Sequence, residues 1–230
     1  MPNNTEDTIQ TEAQWKDWKP TQNLVDAINK SLDAGLVRGL GVQQEGAMCI
    51  EALVCAKMGL PHSDNPPCVG AAIRAPKIAL NDCDWSSNKA RAEGMRKLAI
   101  AQLGSISLNQ QEFFDKLKLN STKRILPSII QKHYDKTKDA KLLGYKLKFE
   151  SLTEMDNGEL WKEVYHYYRN YYYYYHYHHY YHYYHRHHHY HHYYDYYYSY
   201  GDEFLLLIAD VILQTLKEMN CEGCKWLPKE

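Results

Sequence analysis

One low-complexity segment, residues 165–200, constrains the fold of this chain more than any other part of the sequence. It contains 20 of the 22 tyrosines and 11 of the 13 histidines, and it has neither proline nor glycine. Disordered tracts are usually enriched in both of those residues. Tyrosine and histidine are middling helix formers, and no alternation of polar and apolar residues imposes a strand. We therefore predict one long helix of about 54 Å, with disorder and then strands as the alternatives.

Three interpretations of this Tyr/His segment remain open. Histidines three or four residues apart share one face of a helix and can bind Zn²⁺, Ni²⁺ or Cu²⁺. The candidate metal ligands are His178, His182, His185, His188 and His189. Alternatively, the tyrosines form a cohesive surface for self-association or for a protein partner. The third interpretation is compositional drift, in which tyrosine and histidine fill a helix that has no function of its own.

Charge and hydropathy exclude several classes of protein. The formal net charge is −1, which argues against a general nucleic-acid binder. A local basic face is still expected, because one stretch is rich in lysine and arginine: Lys116, Lys118, Lys123, Arg124, Lys132, Lys136, Lys138, Lys141, Lys146 and Lys148. The first residues lack the pattern of a secretory signal, and no apolar run approaches the roughly 20 residues of a membrane helix. The sequence thus predicts a soluble, cytoplasmic protein that does not bind membranes.

Composition shifts divide the chain into five parts. We predict a disordered lead over 1–20, a helical core domain over 21–108 and a lysine-rich helical connector over 109–164. The Tyr/His segment over 165–200 follows, and 201–230 forms a C-terminal helix with a Cys-x-x-Cys tail that packs on the core. The fold class expected from this organisation is mainly α-helical, with a small helical core and one long Tyr/His-rich helix.

Apolar periodicity and capping residues locate the individual helices. Thr21 is a candidate N-cap for a helix that carries apolar residues at helical spacing and stops at Gly35, and Ser86 or Ser87 is a candidate N-cap for another. The predicted helical segments are 21–32, 47–58, 71–80 with Pro76 interrupting or kinking it, 86–103, 110–118, 124–134, 156–164 and 204–219. A short strand is predicted at 145–150, where lysine alternates with apolar residues.

Cysteine chemistry offers two candidate sites. Cys49 stands at the start of an apolar helix, where the helix dipole can stabilise a thiolate nucleophile. Outside the Tyr/His segment, only His62 and His133 are available as its base, so a buried core cysteine is the favoured interpretation. Cys221 and Cys224 form a Cys-x-x-Cys motif, which is half of a zinc site. The other half could come from His62, Cys68 or Cys83. No second Cys-x-x-Cys or His-x-x-x-His motif outside the Tyr/His segment completes the site, and a structural loop is favoured there.

Residues 46–105 contain a series of distinctive blocks. These are MCIEA at 48–52, GLPH at 59–62, a D-x-P-x-C-V turn at 64–69, I-x-LND at 78–82 and WSSNKARA at 85–92, and a further block, CEGCKWL, lies at 221–227. In these blocks the chain resembles a family of uncharacterised proteins from bacterial and phage genomes. Members of that family often carry an alanine- and tyrosine-rich low-complexity stretch between such blocks. The resemblance implies that the Tyr/His segment is helical and tolerant of composition, and it implies no activity.

Taken together, the sequence favours a non-enzymatic helical protein, with a phage or mobile-element accessory or interaction protein as the expected type. The alternative is a metal-binding protein that uses the histidines of the Tyr/His segment. The third hypothesis is an enzyme with Cys49 as its nucleophile. No cofactor is assigned. Zn²⁺ or another transition metal is expected only under the metal-binding alternative.

Overall fold

The computed structural model of this protein describes residues 12–154, 160, 162–164 and 201–229. The chain divides into two compact units. Unit 1 contains Met1–Leu117 and Gly201–Glu230, whereas unit 2 contains Lys118–Tyr200. The mainly α-helical fold class is confirmed. The predicted helix over the Tyr/His segment lies outside the described residues.

The described residues form α-helices, and the longest fully described connections between them are residues 33–49 and 58–70. They are α1 Glu12–Lys16, α2 Gln22–Leu32, α3 Ile50–Lys57, α4 Ala71–Asn81, α5 Asn88–Ala101, α6 Gln110–Thr137, α7 Ala140–Glu150 and α8 Asp202–Glu218. Two 3₁₀ turns cover Ser105–Ser107 and Glu222–Trp226. The boundary between the two units falls inside α6, after Leu117.

Several helices begin at a side chain that accepts a backbone hydrogen bond. Thr21 Oγ1, Cys49 Sγ and Ser87 Oγ each accept from the backbone N–H three residues further on, at the starts of α2, α3 and α5. Such caps satisfy one of the N–H groups that the first turn of a helix leaves without an intrahelical partner. The predicted caps at Thr21 and Ser87 are therefore present, while Cys49 is an unusual cap.

Near the start of the chain, the structure corrects the expectation of disorder as far as residue 20. Residues 12–16 form α1, and Trp15 is buried in the core of unit 1. The ring centroids of Trp15 and Trp18 lie 5.9 Å apart, and Trp18 packs against the same core. Two large aromatic side chains bury enough apolar surface to order a segment that is otherwise polar.

The core of unit 1 is organised around α5, which packs against α2, α3, α8 and the C-terminal 3₁₀ turn. α4 packs against α3 and α8. α3 is buried from Ile50 to Cys55, so this short helix is surrounded by the core on nearly all sides. α8 contributes a stripe of buried residues at helical spacing: Leu205, Ala209, Ile212, Leu213 and Leu216. Residues from both ends of the chain thus complete one core.

In unit 2 the structure replaces two predictions. The helical pieces expected at 110–118 and 124–134 are one continuous helix, α6, which passes through Pro127. The strand expected at 145–150 is wrong, because these residues belong to α7. Asp139 caps α7 by accepting from Lys141 N at 2.9 Å, and Leu142 and Phe149, two helical turns apart, are both fully buried. The seven-residue spacing of these buried side chains is that of a helix face, and it decides the structure here despite the local alternation of lysine and apolar residues.

The described core of unit 2 is a separate apolar cluster. Its buried members are Ile130, Leu142, Phe149, Leu160 and Val164. Of the helix predicted at 156–164, the structure describes residues 160 and 162–164, and all of them are helical.

Candidate functional site

The sequence blocks at 48–52, 78–82 and 85–92 meet around one side chain, Asn81. Its Oδ1 accepts from Ile50 N at 3.3 Å, and its Nδ2 donates to Val37 O at 2.9 Å. Its backbone oxygen accepts from Arg91 Nε at 2.7 Å. Asn81 is almost fully buried, so these bonds satisfy polar groups that would otherwise destabilise the core. The blocks are therefore joined in space by buried hydrogen bonds.

Arg91 extends this junction with the rest of its guanidinium group. It donates to Leu36 O at 3.1 Å, to Cys83 O at 3.3 Å and to Asn88 Oδ1 at 2.7 Å. A guanidinium offers five donors in a fixed plane, so it can donate hydrogen bonds to carbonyl oxygens from several segments of the chain at once. The position of this arginine inside the WSSNKARA block thus has a structural explanation.

A buried ion pair lies in the centre of unit 1. Lys77 Nζ on α4 and Glu51 Oε1 on α3 are 2.5 Å apart, and both side chains have no exposed surface. Burial raises the pKa of the Glu51 carboxyl and lowers the pKa of the Lys77 amine, while each partner opposes the shift of the other. Removing two charges from water is costly, and only close pairing offsets that cost. Sequence reasoning did not identify this pair.

Gln102, the C-cap residue that follows α5, completes a buried polar centre with Glu51 and Lys77. Its side chain has no exposed surface, and its hydrogen bond with the side chain of Glu51 lowers the pKa of that carboxyl against the effect of burial.

Cys49, the candidate nucleophile, is buried at the start of α3. Its Sγ accepts a hydrogen bond from Ala52 N at 3.4 Å. Burial raises the pKa of the thiol, although the backbone donors at the helix start act in the opposite direction. A reactive cysteine requires a lowered pKa, so the surroundings of Cys49 favour the neutral thiol.

The two histidines considered as its base have different settings. His62 Nε2 lies 3.1 Å from Gly41 O, and because a carbonyl oxygen only accepts, the ring nitrogen is the donor. His133 belongs to α6 in unit 2, and burial lowers its pKa. These surroundings do not show that either histidine activates Cys49.

Cys221 and Cys224 pack against the end of α5. Their Sγ atoms donate to Leu103 O at 3.8 Å and to Ala101 O at 4.0 Å. Burial raises the pKa of Cys221 to about 12 and that of Cys224 to about 11. Gly223 between them approaches so closely that an added Cβ would lie 2.1 Å from Ile100 O. The motif forms a tight turn that fastens the C-terminal tail.

Metal binding was predicted at these two cysteines and at five histidines of the Tyr/His segment. The histidines lie outside the described residues. In the part of the chain that the structure describes, no three or more His, Cys, Asp or Glu residues are grouped so as to hold a metal ion.

Comparisons of the chain with protein-family models, with curated proteins and with solved structures gave no match. Over the described residues, no helix combines the length and the apolar character that crossing a membrane requires.

Proposed function

We propose that this chain is a non-enzymatic interaction protein, of phage or mobile-element type, that self-associates through its Tyr/His segment. The observation that carries the proposal is the discontinuity of unit 1, whose core is completed by residues on both sides of 118–200. The Tyr/His segment is thus part of an insertion into a folded domain. The sequence blocks of residues 46–105 support the phage or mobile-element assignment.

Specific hydrogen bonds within unit 1 fix the chain on either side of the insertion. At the start of α6, Gln110 Oε1 accepts from Ala72 N at 3.1 Å, and its amide donates to Ser105 O and Leu108 O. These bonds hold the first turn of α6 against the start of α4.

At the other end, Asp202 in the first turn of α8 accepts from the backbone N–H and the hydroxyl of Ser86. These bonds lower the pKa of Asp202, so the carboxylate is charged at neutral pH. Lengthening a surface connection costs a folded domain little free energy. A domain anchored in this way tolerates a long segment whose composition is free to serve association.

Aromatic chemistry supports a second copy of the chain as the partner. Tyrosine side chains gain free energy by stacking, and they retain a hydroxyl that can donate or accept hydrogen bonds. A segment with 20 tyrosines in 36 residues offers the same cohesive chemistry to every other copy.

Metal binding by the same segment is the second candidate function. The observation in its favour is sequence spacing, since His178, His182 and His185 recur at intervals of four and three residues. Imidazoles at this spacing on a helix chelate transition-metal ions.

The two candidates are distinguished by multi-angle light scattering of the metal-free full chain across a range of protein concentrations. The wild-type mass is expected to increase with concentration. Replacing all 20 tyrosines of the Tyr/His segment with serine should abolish that increase, while phenylalanine at the same positions, the matched control, should preserve it. Glutamine at the five candidate metal-ligand histidines should leave the increase intact.

A wild-type chain that stays monomeric at every concentration would refute self-association. Assembly that appears only with added Zn²⁺, and that disappears in the glutamine variant, would replace the proposal with the metal-binding candidate.

A further inference from the structure

Two thiols of unit 1 lie one helical turn apart in the C-terminal 3₁₀ turn. Cys221 is the N-cap of Glu222–Trp226, and Cys224 N donates to Cys221 O at 3.0 Å. That bond is the i to i+3 hydrogen bond of a 3₁₀ helix, in which side chains three residues apart eclipse each other and their Cα atoms are about 6 Å apart. Disulfides bridge Cα atoms that are about 4.4–6.8 Å apart. The backbone of the turn therefore has the spacing that a Cys221–Cys224 disulfide requires.

The two sulfur atoms also face the same surface, the end of α5. Cys221 Sγ donates to Leu103 O, and Cys224 Sγ donates to Ala101 O. Burial raises the pKa of the Cys221 thiol, and the charge that Cys224 can carry raises it further, an effect that requires the two groups to be close. The side chains of the turn thus bring the thiols together on one side of the backbone.

Contacts of Gly223 hold this geometry in place. Its N–H donates to Leu103 O at 2.9 Å, and its Cα lies so near Ile100 O that there is no room for a side chain. The turn is therefore fastened to α5 between the two cysteines. Two groups that are held near each other in this way react with each other far more readily than with groups in solution.

The two thiols differ in their access to solvent. Cys221 is almost fully buried, whereas Cys224 is only partly buried, so a small reagent meets Cys224 first. Burial raises the pKa of Cys224 to about 11, which makes its thiolate scarce at neutral pH and its reactions slow. The same property slows the reverse reaction, because a thiol of high pKa is a poor leaving group when its disulfide is attacked. A disulfide at this position therefore forms slowly and persists.

We infer that Cys221 and Cys224 form a reversible disulfide by exchange with a low-molecular-weight disulfide. The Cys224 thiolate attacks one sulfur of the small disulfide, which forms a mixed disulfide and releases one small thiolate. The Cys221 thiolate then attacks the Cys224 sulfur, which forms the internal disulfide and releases the second small thiolate. Two protein thiols are oxidised, the small disulfide is reduced to two thiols, and the two protein protons pass to the released thiolates.

The balance between small thiols and disulfides thereby decides how the turn is held. In the reduced chain the sulfur atoms donate to carbonyl oxygens at the end of α5, and in the oxidised chain a covalent bond closes the turn instead. This modification is independent of the interaction role proposed for residues 165–200.

The test is oxidation of the folded full chain in mixtures of oxidised and reduced glutathione, followed by an acid quench, alkylation of the remaining thiols and trypsin digestion. Cleavage after Lys217 and Lys225 leaves both cysteines in one peptide, EMNCEGCK. We expect this peptide to escape alkylation at both cysteines and to be lighter than the dithiol form by two hydrogens, and dithiothreitol should restore the dithiol. Cys83, which is also only partly buried, is the control and should form only the mixed disulfide with glutathione.

Two variants separate the steps of the exchange. In Cys221→Ser the mixed disulfide of Cys224 has no second thiol to resolve it and should accumulate, whereas in Cys224→Ser the buried Cys221 should remain a thiol. Circular dichroism shows whether each variant keeps the helical fold.

The wild-type chain alone can overturn the inference, so the outcome does not depend on a variant that fails to fold. One such result is a peptide that carries glutathione on Cys224 at every glutathione ratio, because Cys221 then cannot reach it. The other is a peptide that keeps both thiols at ratios where Cys83 is fully converted to its mixed disulfide.

Discussion

Removing one partner of the buried ion pair should destabilise unit 1 far more than removing both. Lys77→Met leaves the carboxylate of Glu51 buried without its counter-ion. With charges 2.5 Å apart and an effective dielectric constant of about 20, the lost attraction is on the order of 7 kcal/mol before relaxation. After protonation and relaxation, the expected loss is about 3–5 kcal/mol. In Glu51→Leu/Lys77→Met no buried charge remains, and most of that loss should be recovered.

The assay exploits the positions of the cysteines, since all six lie in unit 1. Pulsed thiol labelling during urea titration therefore reports the unfolding of unit 1 alone. With a slope of about 2 kcal/mol per molar urea, Lys77→Met should lower the midpoint by about 2 M. The direction in which pH changes the stability of this variant also follows from the structure. Because burial raises the pKa of Glu51, Lys77→Met should regain stability as the pH falls and the carboxyl binds a proton.

The matched control is the double-mutant cycle on the exposed pair Arg38–Asp84, whose N–O distance is 2.9 Å and whose side chains are 65% and 78% exposed. Its coupling energy should not exceed about 1 kcal/mol. If Glu51 and Lys77 show a coupling as small as that of the exposed pair, the argument from burial is refuted.

Three further predictions concern the glycine of the C-terminal turn, the anchor of α8 and the thiols. Gly223→Ala should destabilise unit 1 by about 2 kcal/mol through the steric conflict with the end of α5, whereas Gly144→Ala, with open space at its Cβ, should stabilise α7 by about 0.5 kcal/mol. Thermal unfolding followed by circular dichroism measures both, and equal effects would contradict the geometry. Hydrogen bonds from Ser86 lower the pKa of Asp202. Their contribution to the free energy of unfolding is therefore present when the pH is above the unfolded-state pKa of Asp202, and it is lost as the pH falls through the folded-state pKa. Urea midpoints of Ser86→Ala and wild type should therefore converge as the pH falls below the usual pKa of an aspartate, and a gap of constant size across that range would count against the anchor. In native protein Cys83, which is only partly buried, should react with iodoacetamide before the buried cysteines, as mass spectrometry of the labelled peptides will determine.

The fold was largely accessible from the sequence where apolar periodicity and caps agreed. Thr21 and Ser87 predicted the starts of α2 and α5, because a hydroxyl before an apolar helical pattern has one dominant structural use. Residues 145–150 were misassigned as a strand because lysine and apolar residues alternate there. The same residues also fit a helix, since Phe149 lies two helical turns after Leu142. Local alternation over so few residues cannot decide between the two periods.

The polar centre could not be derived from the sequence in the same way. Glu51 does carry a signal, since it is the one charged residue of α3 between Ile50 and Ala56, a stretch that is otherwise apolar. A charge inside a helix buried on nearly all sides requires a partner. Nothing local indicates that the partner is Lys77, 26 positions away, or that Gln102 joins them, because that pairing depends on how three helices pack.

The contribution of α8 to the core of unit 1 has a consequence for synthesis on the ribosome. The ribosome makes Leu205, Ile212 and Leu216 only after it has translated the whole of 118–200. During that interval α5 lacks the helix against which it packs in the folded protein. Until then the nascent domain exposes the apolar surface that α8 later covers, and sequence-distant contacts of this kind slow folding. A chain that terminates inside the insertion would keep that surface exposed permanently, which makes truncated products prone to aggregation and degradation.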